Sequence, residues 1–163
     1  MKTLFLLRHA KAENPATDLT DLNRALNGRG RNEAKALGTF LKKQNQKFDL
    51  ALCSTAARAR ETTELVLAAG ELAANVRYDG RIYEAGPLRL LEVISEIEES
   101  LSFVLLVGHN PGMEELLKIL TGRLERMATG TMAKIELSAE WSKAMDGSGT
   151  LHLIVKPQAP VAG

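Results

Sequence analysis

The chain has 163 residues, 45% of them hydrophobic and 25% charged, with a formal net charge of +1. That length suits one domain of ordinary globular composition, and the near-neutral balance gives no reason to expect a polyanion such as nucleic acid as a partner. No apolar run approaches the ~20 residues of a membrane helix, and the single cysteine, Cys53, excludes an internal disulfide and points to a reducing, cytoplasmic setting.

The apolar run Leu4-Phe5-Leu6-Leu7 reads as a buried parallel strand and ends abruptly in Arg8-His9. Charge at Arg8 and Lys11 makes the run too short for a secretory signal. A polar loop from Ala12 to Leu26 follows, longer than a simple connector. Asn27 then offers an N-cap, and Ala34, Leu37 and Leu41 at helical spacing predict a helix over 28–44. Asp49 to Cys53 reads as a strand running into a helix over 58–69 that Gly70 would end. Asn75 to Tyr78 is a weaker strand. Pro87 starts a third helix whose stripe of Leu91, Ile94, Glu98 and Leu101 extends it to about residue 101. Phe103 to Val107 is the most hydrophobic strand, and it ends in Gly108-His109-Asn110-Pro111-Gly112. A fourth helix over 113–121 precedes two strands, 132–137 and 150–155, which read as an antiparallel pair. The alternation predicts an α/β fold, a three-layer α/β/α sandwich on a mostly parallel sheet, with one domain over 1–156 and a frayed tail over 157–163.

The polar residues fall where this fold would use them. Ligands of open α/β sheets bind beyond the carboxyl ends of the strands. Arg8 and His9, Arg58 and His109 would all emerge at that edge, with Glu84 arriving from another loop. Arginine forks match phosphate oxygens and stay charged at every relevant pH. A neutral imidazole attacks phosphorus well when an acceptor holds its other nitrogen. Such a cup could align a phosphoryl group and neutralise its charge without a metal or other cofactor.

Arg8-His9-Ala10 resembles the Arg-His-Gly motif of the histidine phosphatase superfamily, also called phosphoglycerate-mutase-like. The family's other landmarks follow in order: Leu26-Asn27-Gly28-Arg29-Gly30, Ser54 with Arg58-Ala59 and Glu61-Thr62, Tyr83-Glu84, and Gly108-His109-Asn110. The short chain, the Arg-His-Ala-Lys-Ala opening and Tyr83-Glu84-Ala85 look most like SixA-type phosphohistidine phosphatases. The resemblance implies that His9 is a transiently phosphorylated nucleophile. Arg8, Arg58 and His109 would bind the phosphoryl group, and Glu84 falls where relatives keep a proton donor. The Gly after the nucleophile is Ala10 here. The Asn that larger members carry six residues beyond it is Pro15, leaving Asn14, with Asn110, as further candidate phosphate contacts. No large inserted cap is visible, which fits a protein-borne phosphohistidine as substrate. A small phosphate ester is the alternative, for which Glu84 would be needed, and a non-catalytic reader of phosphoproteins is the alternative outside enzymology.

Other residues carry plainer readings. Cys53 is followed by Arg58 after four residues, Ser54 to Ala57, one short of a cysteine-phosphatase loop, and its predicted strand would bury an inert thiol. Arg60 and Glu61 read as surface or supporting pairs. Arg24, Arg29 and Arg31 could rim the site or simply solvate a helix start, and His152 reads as a partly buried structural histidine. No Walker-type loop, dinucleotide motif or zinc spacing is present.

Overall fold

A computed structural model describes residues 1–157. The first strand, β1 (Lys2–Arg8), buries five consecutive residues, Thr3 to Leu7. Such a run is required where helices cover both faces of a parallel sheet. Leu4 and Leu6 belong to one core, Phe5 and Leu7 to the other. After β1 come α1 (Gly28–Lys43), β2 (Leu50–Cys53), α2 (Ala57–Gly70), β3 (Asn75–Tyr78) and α3 (Pro87–Ser95). They are followed by β4 (Phe103–Gly108), α4 (Gly112–Thr121), β5 (Met132–Leu137) and β6 (Gly149–Val155). The strands form one sheet in the order β3-β2-β4-β1-β5-β6. β1 to β4 run parallel, while β5 is antiparallel to both β1 and β6. This is the expected three-layer sandwich with its antiparallel C-terminal pair.

One core joins Leu90, Val93 and Ile94 of α3 to Leu116, Leu117 and Leu120 of α4, with Trp141 filling its end. The other packs Leu37 and Leu41 of α1 and Val66 of α2 against Phe5, Leu105 and Val107. Full burial of one such leucine contributes roughly 1.5–3 kcal/mol. Cores of this size therefore hold the central strands in place even though their ends carry buried polar groups.

The long connection after β1 is not structureless. Ala12 and Leu26 bridge antiparallel, and Asn27 N–H donates to the Lys11 carbonyl at 3.0 Å. Asn27 Oδ1 then accepts from Gly30 N–H at 2.8 Å, the predicted N-cap. Gly30 allows the approach, since a Cβ there would stand 1.9 Å from the Lys11 carbonyl oxygen.

Three expectations need correction. α2 ends one residue later than Gly70 would have it: Glu71, paired with Lys42, takes the left-handed position at φ 50°. α3 stops at Ser95, because the next turn is fixed from outside. Glu99 accepts from the backbone N–H groups of Trp141 and Ser142 at 3.1 and 3.0 Å. His152 is exposed rather than partly buried, since β6 is an edge strand, and it lies 3.2 Å from Glu136 on β5. Of the expected tail, all beyond Pro157 lies outside the described residues. Among those described, no helix is long and apolar enough to cross a membrane.

Candidate active site

The register of β1 on β4 decides what meets at the sheet edge. Arg8 pairs with Gly108, so the residues that follow, His9 and His109, emerge side by side. His9 N–H bonds the Gly108 carbonyl at 3.1 Å, and the two imidazole centroids lie 5.1 Å apart. β2 runs alongside β4, and Ser54 N–H donates to the Val107 carbonyl at 3.1 Å. The chain then turns into α2, whose first turn carries Arg58. His9, Arg58 and His109 are 7%, 4% and 5% exposed, which is deep for side chains of this type.

Each imidazole has one nitrogen fixed by a neighbour. His9 Nδ1 lies 2.8 Å from the Ala10 carbonyl. A carbonyl can only accept, so Nδ1 holds the proton and Nε2 keeps its lone pair. Burial is the main cause that pushes the His9 pKa down to about 4; the Ala10 bond opposes it, and the charges of Arg58 and Arg8 add to it. The ring is neutral at physiological pH. The segment is pinned from below: Ala10 N–H donates to Thr62 Oγ1 at 3.0 Å, and that hydroxyl donates to the Arg58 carbonyl at 2.7 Å.

His109 Nε2 lies 2.7 Å from Ser54 Oγ, which also accepts from Ala56 N–H at 3.2 Å. The Ser54 hydroxyl keeps both its own proton and a second lone pair, so it can pair with either tautomer of His109; when it donates to Nε2, the His109 proton sits on Nδ1. Burial, with His9 and Arg58 nearby, pushes the His109 pKa down to about 3. Arg8 Nη1 donates to the Met127 carbonyl at 3.1 Å. Burial also lowers the Arg8 pKa, against the attraction of Glu114. Arg58 directs Nη1 to the Asp21 carbonyl at 2.8 Å and Nη2 to Asp21 Oδ2 at 3.0 Å. Arg8 Nε, Arg58 Nε and His109 Nδ1 are buried and have no hydrogen-bond partner among the described residues. Buried donors are normally satisfied, at a cost of about 1–3 kcal/mol each when they are not. Three on one cup, two of them guanidinium groups, suit an anion with several acceptor oxygens.

The rim is built differently. Tyr83 packs its ring edge against His109, with centroids 5.5 Å apart, and its hydroxyl donates to Asp21 Oδ2 at 2.5 Å. Arg24 Nη2 reaches Asp21 Oδ1 at 3.0 Å and Arg24 Nη1 the Glu13 carbonyl at 2.9 Å. The Tyr83 bond, then those from Arg24 and Arg58, hold the Asp21 pKa down to about 2 although its side chain is 43% exposed. Glu84 sits beside Tyr83 in the left-handed region at φ 53°, and its exposed carboxylate forms no hydrogen bond or ion pair among the described residues. Its loop is drawn to the His109 loop by Gly112, where a Cβ would meet the Ala85 carbonyl oxygen at 2.1 Å.

A family model of the histidine phosphatase superfamily (branch 1) matches residues 4–87. The chain belongs to that superfamily. An uncharacterised protein of Mycobacterium tuberculosis is 31% identical over 156 residues, covering 89% of this chain and 96% of the relative. Two solved structures named as candidate phosphohistidine phosphatases SixA are similar over nearly the full chain. The one from Nakamurella multipartitia is 30% identical with a TM-score of 0.85, covering 97% of each chain. That from Agrobacterium tumefaciens is 30% identical with a TM-score of 0.83, covering 96% of this chain and 98% of the other. The recognition drawn from the motifs, a SixA-type histidine phosphatase, agrees with these matches.

In this member of the superfamily the structure brings together Arg8, His9, Arg58 and His109, and sets Glu84 on an adjoining loop. Two expected phosphate contacts are not brought in. Asn110 directs its amide nitrogen to Glu114 Oε2 at 2.7 Å and to the Met127 carbonyl at 2.8 Å, so both hydrogens are committed to bracing the loop that receives Arg8. Asn14 is exposed and forms no hydrogen bond to the cup among the described residues. Glu61 pairs with Arg31 at 2.7 Å and accepts from Leu26 N–H, whereas Arg60 stacks on Tyr78 at 4.6 Å. Arg29 is occupied by Glu33; of the three rim arginines considered, Arg24 reaches the Asp21 network. Cys53 is buried, and burial pushes its thiol pKa up to about 12, an inert group. The sequence reading missed Asp21, and it named Ser54, Thr62 and Tyr83 as family landmarks without assigning a role to their hydroxyls. For Asp21 the available signal was weak, one acid among several in a polar loop. For Thr62 the helical stripe concealed a polar contact.

Proposed function

We propose that this chain is a phosphatase that takes a phosphoryl group onto His9 Nε2 and passes it to water, with phosphohistidine on a protein as substrate. The observation that carries the reading is the pairing of a neutral His9, its Nδ1 held by Ala10, with the unpartnered Arg8 Nε, Arg58 Nε and His109 Nδ1. In the first step the Nε2 lone pair forms the bond to phosphorus. The bond to the leaving atom breaks, and its electron pair stays on that atom. The phosphorylated imidazole carries positive charge, which the Ala10 carbonyl at Nδ1–H stabilises. The two guanidinium groups and His109 neutralise the equatorial oxygens, chemistry that does not call for a metal or other cofactor. In the second step a water oxygen attacks phosphorus and the P–N pair returns to His9. The water's proton leaves on the phosphate or into solvent.

Phosphohistidine as the substrate is supported by the open rim and by Glu84. An alkoxide leaving group needs a general acid held near its oxygen, and the exposed Glu84 carboxylate is held by no hydrogen bond among the described residues. An imidazole leaving group already protonated on its other nitrogen needs none. Asn110 acts here as a brace for Met127, and Asn14 has no part. The test is phosphate release from a phosphohistidine protein beside an aryl phosphate and a set of sugar phosphates. Fast turnover of the first with weak ester activity is expected. Preference for one ester, lost in Glu84→Gln, would overturn the substrate assignment and leave His9 as nucleophile for a small-molecule phosphatase. Phosphopeptide binding without phosphate release would overturn catalysis altogether.

A further inference from the structure

We infer that Asp21 is a specificity-determining residue: its carboxylate at the rim of the cup favours phosphoryl donors whose leaving group is a cation, a protonated phosphoimidazole, over neutral or anionic esters. The inference rests on the function proposed above and names how the site would choose its substrate. Three separate elements bear on this one carboxylate. Arg58 from α2 donates to Oδ2 and to the Asp21 carbonyl, Tyr83 donates to Oδ2, and Arg24 donates to Oδ1. The contacts with Arg58 use its two terminal nitrogens, leaving the Nε edge for the phosphoryl oxygens. Asp21 is 43% exposed where the Arg58 side chain it holds is 5% exposed, which puts the carboxylate on the solvent side of the buried guanidinium. Arg8, Arg24 and Arg58 supply cationic groups around Asp21, with Tyr83 and two neutral histidines beside them. Of the nearby acids, Glu114 is committed to Asn110 and Met127 N–H and Glu84 is exposed and unpaired among the described residues, whereas Asp21 is tied down at both oxygens.

A fixed negative charge at that place acts on whatever is attached to the phosphoryl group. A phosphoimidazole protonated on its distal nitrogen is cationic at the ring and is the form that reacts. His9 Nε2 bonds to phosphorus, the P–N pair collapses onto the leaving nitrogen, and the proton stays on the distal nitrogen. The ring leaves as neutral imidazole, so no external acid enters the balance. A neighbouring carboxylate stabilises the cationic ring and raises the fraction in that form. The same carboxylate repels a phosphate ester bearing a second anionic group, which costs affinity and association rate. Its charge also offsets the positive charge that Arg58 presents to phosphate oxygens. Neutralising it should thus strengthen the binding of simple anions while weakening phosphohistidine turnover.

The experiment compares wild type, Asp21→Asn and Asp21→Glu on three probes: a phosphohistidine protein, an aryl phosphate, and inorganic phosphate as inhibitor. Asp21→Asn keeps an acceptor for Arg58 and Tyr83 and removes the charge. It is expected to lower kcat/KM on phosphohistidine about 10-fold, and to tighten inhibition by inorganic phosphate about 3-fold or more. The KM for the aryl ester is expected to fall with it. Asp21→Glu should keep the wild-type preference. An equal loss on both substrates in Asp21→Asn would mean that the residue only positions Arg58, and overturns the inference. An unchanged ratio of the two does so as well. A wild-type protein inert toward phosphohistidine overturns the function proposed above and the inference with it. Wild-type turnover with a ratio that ignores the charge overturns the inference alone.

Discussion

The floor and the rim of the cup are made by different means. Every group on the floor leaves a parallel strand or the helix turn after it, and its place is set by the register Arg8 to Gly108 and by buried backbone bonds. The rim is made by the 12–26 connection and the Tyr83–Glu84 turn, where exposed charges hold one another. Burial keeps both histidines neutral on the floor, while hydrogen bonds keep Asp21 ionised on the rim. Under the proposed function, the sheet holds the nucleophile and the anion site, and the loops govern which donor is admitted. Changes on the floor should destroy turnover of every substrate, and changes on the rim should redistribute it.

The largest effect is expected from His9→Asn, a loss of about 10⁴-fold or more on all substrates, since the step has no other nucleophile. Its far-ultraviolet dichroism should match wild type. Arg58→Ala or Arg8→Ala removes one charged donor from the developing phosphorane and should lower kcat by about 10²–10³-fold, again on every substrate. Ser54→Ala removes the hydrogen bond that orients the His109 ring, so a loss of about 10-fold in kcat is expected. Glu84→Gln, the mildest rim change, should alter phosphohistidine turnover by less than about 3-fold, within the range expected when no proton donor is lost. A Glu84→Gln loss as large as that of Arg58→Ala would erase the division between floor and rim.

The pH dependence follows from the same division. The His9 pKa near 4 means Nε2 is free above that value, so kcat/KM should fall as pH drops through about 4 and stay flat from 6 to 8 as far as His9 is concerned. For stability, both histidines are held below their ordinary 6.5 in the fold. The unfolded chain therefore binds more protons between about 4 and 6.5, and unfolding becomes easier as pH falls through that window. Asp21, held near 2, adds a loss in the same direction between its ordinary 3.8 and about 2. Thermal midpoints should decline steadily below pH 6.5. In His109→Asn the part of that decline between pH 6.5 and 4 should be smaller.

The floor was legible in the sequence because its signals are strong and local. An apolar run that stops in Arg8-His9, and another that stops in Gly108-His109, mark strand ends directly. Parallel pairing then brings those ends to one edge. The ends of helices were less legible, because α3 is cut short by Glu99 reaching across to Trp141, a contact between residues distant in sequence. Asp21 escaped notice for the same reason: its partners Arg58 and Tyr83 lie 37 and 62 residues away, and its near partner Arg24, three residues on, reads as an ordinary local ion pair. His152 was misjudged because alternation along β6 does not disclose that the strand lies at the sheet edge.

The central claim is that phosphoryl groups pass through His9 Nε2. The most direct test is rapid acid-free quenching of wild type and His9→Asn after mixing with a radiolabelled phosphohistidine protein, followed by mapping of the label. The account predicts an acid-labile, alkali-stable phosphoryl group on the peptide containing His9 in wild type, absent from His9→Asn along with turnover. Label on another residue, or His9→Asn that still releases phosphate, would contradict it.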